Sequence, residues 1–182
     1  MSARTTNTPT TGSPLPMPIR ASTPLSVIIV LHDTINQLSR LLSQIQDVDA
    51  LNHARHRGEP SVRELLLALR DEERWASARI SCIATEPDPD LDRMVEAIDP
   101  QTQARLDAQR TPIQLLAEFR RLRQRTCATL RDAPDVAWQR VGRSRRGPNW
   151  TMHALAERLV AHDTRQLAAV QRAIAEIGAG RA

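Results

Sequence analysis

The chain has 182 residues, of which 41% are hydrophobic, and this length suits a single domain with a full-sized core. Its 25 basic residues, all arginine, exceed the 21 acidic ones and give a net charge of +4. We interpret the arginine clusters at 120–125 and 143–146 as solvated surface, because carboxylates are interspersed and no aromatic platform for stacking bases accompanies them. A nucleic-acid partner is therefore not favoured and ranks third among the functions considered. No segment approaches the roughly 20 apolar residues of a membrane span, so we expect no membrane partner.

The two ends of the chain differ in composition from the rest. Residues 1–23 are rich in Thr, Ser and Pro and contain no acid, which predicts a disordered tail. The apolar run that follows has no small-residue cleavage signature, so we do not interpret it as a signal peptide. Cys82 and Cys127 stand alone in predicted helices, which favours reduced core residues and a cytoplasmic location. We expect one domain over 24–178 and a second short tail over 179–182.

The first two predicted helices begin at clear capping signals. Thr23 and Pro24 start a helix over about 24–47, whose apolar stripe is Ile28, Leu31, Ile35, Leu38, Leu42 and Ile45. Ser61 and Glu64 form a capping box that opens the second helix, which runs to about residue 85. Its stripe is Val62, Leu66, Leu69, Glu73, Ala76, Ile80 and Ile83, so a carboxylate interrupts an apolar seam.

The second half of the chain repeats these signals after a long connection. Residues 86–110 predict two short helical turns at most, one of them starting at Asp99. Thr111, Pro112 and Gln114 open a third helix over about 112–132, and Thr151 caps a fourth that ends near Gly178. No alternating run predicts a strand. The sequence thus predicts an all-α four-helix bundle in which the long connection crosses over between helices 2 and 3.

Polar residues on the inward stripe of the fourth helix are the candidate functional groups. The stripe is Met152, Leu155, Leu159, His162, Gln166, Val170, Ala173 and Ile177. Glu73 and His162 could act together as a general acid/base pair, or bind a divalent metal with Gln166. On residue types alone, a structural network of hydrogen bonds among these three groups is favoured. The other histidines are predicted at structural or solvated positions: His32 at the edge of the seam, His53 and His56 in a loop, and His153 exposed or capping.

Two stretches resemble a known family. GEPSVRELLLALRDEERW is similar to the second-helix signature of the DinB-like (YfiT-like) four-helix-bundle superfamily, and WTMHALAERLVAHDTRQLAAVQ is similar to its fourth-helix signature. The resemblance covers about residues 25–177 and implies the bundle fold with its long 2–3 connection. In metal-binding members, one histidine of helix 2 and two of helix 4 hold zinc or nickel. The matching positions in this chain are Ala68, His162 and Gln166, so two of the three ligands are replaced.

Two functions remain open at this point. The first is a binding or regulatory module without a cofactor, with a small molecule in the bundle cavity or a second copy of the chain against an exposed helix face. The second is a metal- or thiol-dependent transferase or hydrolase, since some relatives transfer low-molecular-weight thiols. That enzyme would use a rearranged site around His162 and Glu73, with zinc or nickel if the site works.

Overall fold

A computed structural model describes residues 23–93 and 99–179. The predicted tails lie outside these ranges, apart from Thr23 and Ala179. Within these ranges, four long helices form the bundle, and two short helices and a two-stranded ladder lie in the connections. The elements are α1 (Pro24–Ser43), α2 (Val62–Thr85), α3 (Pro100–Ala108), α4 (Pro112–Asp132), α5 (Asp135–Trp138), β1 (Val141–Gly142), β2 (Trp150–Thr151) and α6 (Met152–Ala179). Two 3₁₀ turns, Val48–Asn52 and Leu91–Arg93, complete the elements of the described residues.

The helices start where the capping residues predict. Ser61 and Glu64 exchange hydrogen bonds in a full capping box at the start of α2, and Thr111 and Gln114 do so at the start of α4. Thr151 accepts a bond from the Ala154 N–H at 3.1 Å and caps α6. These bonds satisfy backbone N–H groups that have no partner within a helix. The first helix ends at Ser43, four residues before the predicted end, and a short 3₁₀ turn follows.

The core divides into two apolar clusters, one at each end of the bundle. The upper cluster combines the start of α1, the end of α2, the end of α4 and the start of α6, represented by Leu31, Ile83, Leu130 and Met152. The lower cluster combines the opposite halves of the same helices, represented by Leu38, Leu66, Phe119 and Ile174. Helices α2 and α4 are therefore parallel to each other and antiparallel to α1 and α6. This confirms the predicted bundle, with its crossover between α2 and α4.

The upper end of the bundle contains a short ladder that the sequence did not predict. Val141 pairs with Thr151 and Gly142 with Trp150 in antiparallel register, so the expectation of no strand was wrong. Two-residue strands are too short to show an alternating pattern. An ideal Cβ on Gly142 would lie 2.9 Å from Ile83 Cγ1, so glycine is what lets the ladder pack directly on α2. Arg140 ties the same region to α2, because its Nη1 donates to the carbonyls of Ile83 and Glu86 at 2.8 and 2.9 Å.

Helix α3, in the crossover, is held to α2 by a buried ion pair. Arg70 on α2 is fully buried and donates to both carboxylate oxygens of Asp107 on α3, with Nη2 2.7 Å from Oδ2. Arg70 also contacts Asp71 and Glu118, which places three carboxylates around one guanidinium. This pairing compensates for the cost of burying the charge and fixes the path of the crossover. None of the described helices is long and apolar enough to cross a membrane.

Candidate functional site

The candidate residues of the resemblance lie along the seam between α2 and α6. Glu72 on α2 accepts two hydrogen bonds from Arg158 on α6, at 2.5 and 3.2 Å. The two helices are antiparallel, so moving one turn back along α2 corresponds to moving one turn forward along α6. Residues four apart share a helix face. Ala68 is therefore opposite the turn that begins at His162, where the resemblance places a third ligand.

His162 and Gln166 contact each other but leave two polar atoms without a partner. The Nε2 atoms of the two side chains are 3.4 Å apart. His162 Nδ1 and Gln166 Oε1 are buried and make no hydrogen bond within the described structure. Burial lowers the pKa of His162 below its ordinary value, although the nearby carboxylates of Glu72 and Asp163 act in the opposite direction. The imidazole is therefore neutral near pH 7.

Glu73 does not join His162 in the structure. Its carboxylate accepts a 2.8 Å hydrogen bond from Arg123 Nε and a second bond from the Thr126 hydroxyl. The side chain is fully buried, and no described hydrogen bond or ion pair connects it to His162. The predicted His–Glu–Gln network is thus reduced to the His162–Gln166 contact. Glu72, the preceding residue, is the glutamate whose charge reaches His162.

Arg123 is the centre of a charged layer that sequence reasoning missed. We expected the cluster at 120–125 to be solvated, but Arg123 is 0% exposed. It binds Glu73 on α2 and Asp163 on α6, and also donates to the Leu31 carbonyl of α1 at 2.9 Å. We call Glu73, Arg123 and Asp163 the ion layer. Its signal was present in the helical period, because Arg123 lies four residues after Phe119 and three before Thr126.

Both carboxylates of the ion layer are engaged by Arg123. Burial by itself lowers the pKa of Arg123, but the charges of Glu73 and Asp163 outweigh it and raise the pKa above the ordinary arginine value. Arg123 therefore stays protonated, and its hydrogen bonds engage both carboxylates. Carboxylates fixed in this way are poorly suited to abstract a proton or to bind a metal, since either role would break a buried, hydrogen-bonded ion pair with Arg123.

The remaining histidines lie apart from this seam. His32 and His53 are exposed. His153 is 3.2 Å from Glu157, one turn further along α6, and its ring lies against Trp138. His56, Glu59 and Glu176 are the one group of three potential metal ligands within 4.8 Å of one another in the described residues. His56 and Glu59 are exposed, and this group lies at the lower end of the bundle rather than beside His162.

The donor set beside His162 does not fit a divalent metal. Structural and catalytic zinc sites use at least three side-chain ligands, chiefly imidazole, thiolate or carboxylate. Here the seam offers one imidazole and one neutral amide, and Ala68 carries no donor. The Glu72 carboxylate is already engaged by Arg158, whose guanidinium would also repel a dication close by.

The two cysteines do not offer a reactive thiolate. Cys82 and Cys127 are free and buried in the upper cluster. Burial raises the pKa of the Cys127 thiol to about 11 and also raises the pKa of Cys82. A thiol with a raised pKa is a poor nucleophile and a poor metal ligand at neutral pH. The prediction that both are core residues is confirmed.

Known structures share the fold described above. YfiT from Bacillus subtilis, described as a probable metal-dependent hydrolase with an unusual four-helix bundle topology, superimposes with a TM-score of 0.70 at 19% identity, over 91% of this chain and 94% of YfiT. The mycothiol-dependent maleylpyruvate isomerase superimposes with a TM-score of 0.64 at 11% identity, over 82% of this chain and 61% of the isomerase. At these identities the likeness concerns the fold alone.

The family follows from the sequence match. No curated protein sequence matches the chain. The model of the DinB superfamily, however, matches residues 31–170, which include α2, α4 and most of α1 and α6. The match spans both seam positions, Ala68 and His162, and the ion layer. The chain therefore belongs to the DinB superfamily.

Proposed function

We propose that this chain is a binding or regulatory member of the DinB superfamily that works without the three-imidazole metal centre of its metal-binding relatives. The observation that carries the proposal is the seam opposite Ala68. One imidazole, one amide and a glutamate neutralised by Arg158 occupy the place where three ligands would converge. Such a set can form polar contacts between helices but does not supply enough ligands to coordinate a divalent cation.

The ion layer in the middle of the bundle supports the same proposal, because its carboxylates are already engaged. Among the described residues, Glu73 and Asp163 are the two most buried acidic residues, and both are bound to Arg123. A general base needs a carboxylate or imidazole within hydrogen-bond reach of a substrate proton. Both residues are buried and bound to Arg123, so we assign each of them to packing and helix pairing instead.

Metal analysis of the untagged protein tests the proposal. The full chain would be purified without a histidine tag, equilibrated with zinc and then with nickel, and desalted before elemental analysis. We expect no stoichiometric metal and the same result for His162→Ala. Added zinc should leave the thermal unfolding of both proteins unchanged, because an ion that binds only the folded state would stabilise it.

The competing function predicts the opposite metal content. A metal- or thiol-dependent transferase or hydrolase built around His162 would retain zinc or nickel in stoichiometric amount. It would lose that metal in His162→Ala but not in His32→Ala, which removes an exposed histidine of α1. That pair of results would overturn the proposal.

A further inference from the structure

A cavity at the upper end of the bundle lies apart from the His162 seam. It has a volume of about 270 Å³ and is bounded by the second half of α2 and by the loops around residues 91–92 and 144–150. Its lining includes Trp75, Arg79, Asp92, Ser144, Arg146 and Trp150. Trp75 lies seven residues after Ala68 on α2, which corresponds to about 10 Å along the helix axis. The cavity is therefore separate from the position where metal-binding relatives hold their ion.

Two indole rings form part of the walls of this cavity. Trp75 and Trp150 meet edge to face, with centroids 5.9 Å apart and planes at 85°. The whole chain has three tryptophans, one phenylalanine and no tyrosine, so two of its four aromatic residues meet at one cavity. Both indoles are half-buried and keep part of their surface open. Perpendicular rings of this kind give a flat ligand one face to stack on and one edge to contact.

Guanidinium groups surround the same rings. The Arg79 guanidinium carbon lies 4.0 Å from the centroid of the Trp75 ring, and that of Arg158 lies 5.0 Å from it. Arg158 also lies 5.6 Å from the Trp150 ring, and its charge is balanced by Glu72. Arginines that lie on indole faces are held in place, so they meet an incoming anion at a smaller entropic cost.

The charge of the lining favours an anion. Among the described residues that line the cavity, Arg79 and Arg146 are basic and Asp92 is acidic. The Asp92 carboxylate accepts 2.7 and 2.6 Å bonds from the Ser144 hydroxyl and the Arg145 N–H. These bonds, together with the nearby Arg146, lower the pKa of Asp92. The loop thus already holds one carboxylate with a hydroxyl, a backbone N–H and a guanidinium, which is the chemistry that recognises carboxylates generally.

We infer that this cavity binds a small aromatic carboxylate, with its ring against Trp75 and Trp150 and its carboxylate toward Arg79 and Arg146. The volume is just below the 300–1,000 Å³ or so of pockets for drug-sized ligands, which restricts the occupant to about one ring. The inference rests on the proposed function, because it names the ligand class of a binding module.

Nuclear magnetic resonance of the three indole N–H groups tests the inference directly. Benzoate is the probe, cyclohexanecarboxylate keeps its charge without the aromatic ring, and benzamide keeps the ring without the charge. Trp138 is an internal control, because it is 4% exposed and lies in the upper cluster instead of lining the cavity. We expect benzoate to shift the Trp75 and Trp150 signals saturably at millimolar concentration, to leave Trp138 in place, and to bind more tightly than either analogue.

Two arginine variants of one loop make the test specific. Arg146→Ala should weaken benzoate binding about two- to fivefold, the size of a partly exposed ion pair. Arg145→Ala, the matched control, removes a neighbouring side chain that does not line the cavity and keeps the backbone N–H that binds Asp92. No saturable shift, equal binding of benzoate and either analogue, or equal effects of the two variants would overturn the inference.

The inference and the proposed function can fail separately. The metal content of the same protein preparation is measured before the titration. Stoichiometric metal with normal benzoate binding would overturn the proposed function and leave the cavity assignment intact. A metal-free protein that ignores benzoate would overturn the cavity assignment alone.

Discussion

Arg123 on α4 and Asp163 on α6 form two parallel hydrogen bonds, 2.6 and 3.1 Å long, with side chains that are 0% and 3% exposed. Together with Glu73 they place two carboxylates around one guanidinium in the middle of the bundle. The groups are not equivalent, since the loss of one carboxylate leaves a neutral pair. The loss of the guanidinium leaves two buried negative charges.

Substitutions in the ion layer should therefore differ in their cost. We expect Arg123→Met to lower the free energy of unfolding by about 3–5 kcal/mol, the range for a buried pair that loses one partner. Asp163→Asn keeps the Arg123–Glu73 pair and should cost less, about 1–3 kcal/mol. Urea unfolding followed by circular dichroism measures both values.

A combined variant checks the electrostatic explanation. In E73Q/R123M/D163N no charge remains in the ion layer, so the protein should recover much of the stability lost in Arg123→Met. If the triple variant is less stable than Arg123→Met, packing rather than charge determines the effect.

Protonation of His162 should make stability depend on pH. Burial lowers the pKa of His162 in the folded protein, so the unfolded chain binds a proton at higher pH than the folded chain does. The folded state therefore loses stability as the pH falls below the ordinary histidine pKa of about 6.5, and the loss levels off once the folded protein is also protonated. Urea midpoints at a series of pH values would show this slope.

The matched variants are His162→Gln and His32→Gln. His162→Gln should flatten the slope, whereas His32→Gln removes an exposed imidazole of α1 and should give the wild-type profile. Identical profiles for all three proteins would show that His162 does not contribute.

Restoring the two replaced positions should create a metal site. In A68H/Q166H three imidazoles converge on the seam, because Ala68 lies opposite the turn from His162 to Gln166. We expect one zinc ion per chain and a rise in the melting temperature when zinc is added. The variant A68H/Q166H/H162A is the control and should lose most of the affinity. A double variant that binds no zinc would contradict the pairing of Ala68 with His162.

Adding a single methyl group at Gly142 should lower the stability of the protein. Its ideal Cβ would lie 2.9 and 3.0 Å from two atoms of the buried Ile83 side chain and 3.0 Å from Leu91. We expect Gly142→Ala to cost about 1–3 kcal/mol through overpacking. Gly178→Ala is the control, since no atom lies within 4 Å of its ideal Cβ, and it should change stability by less than about 1 kcal/mol. Equal effects in thermal unfolding would argue against the steric explanation.

Caps and apolar stripes were enough to predict the bundle. Thr23, Ser61, Thr111 and Thr151 act locally, so their role is visible without knowledge of the tertiary contacts. The ladder between Val141–Gly142 and Trp150–Thr151 was not predictable, because two-residue strands are too short to show an alternating pattern.

The candidate site was predicted less well than the fold. A polar side chain on a stripe shows that a partner is needed but does not identify that partner. Glu73 was therefore assigned to His162, although it binds Arg123. For the same reason, His162 was assigned to the centre of the stripe. The buried polar residue on α6 is instead the next residue, Asp163.

We expect the ion layer also to determine how the four helices align. Leucine, isoleucine and valine pack against one another in many arrangements, so aliphatic stripes tolerate sliding by a turn. Sliding α4 by one turn would move Arg123 about 5.4 Å from its carboxylates and leave three charges buried without partners. A single arginine thus fixes the register of α4 against its neighbours, and we expect it to exclude alignments that the apolar clusters alone would permit.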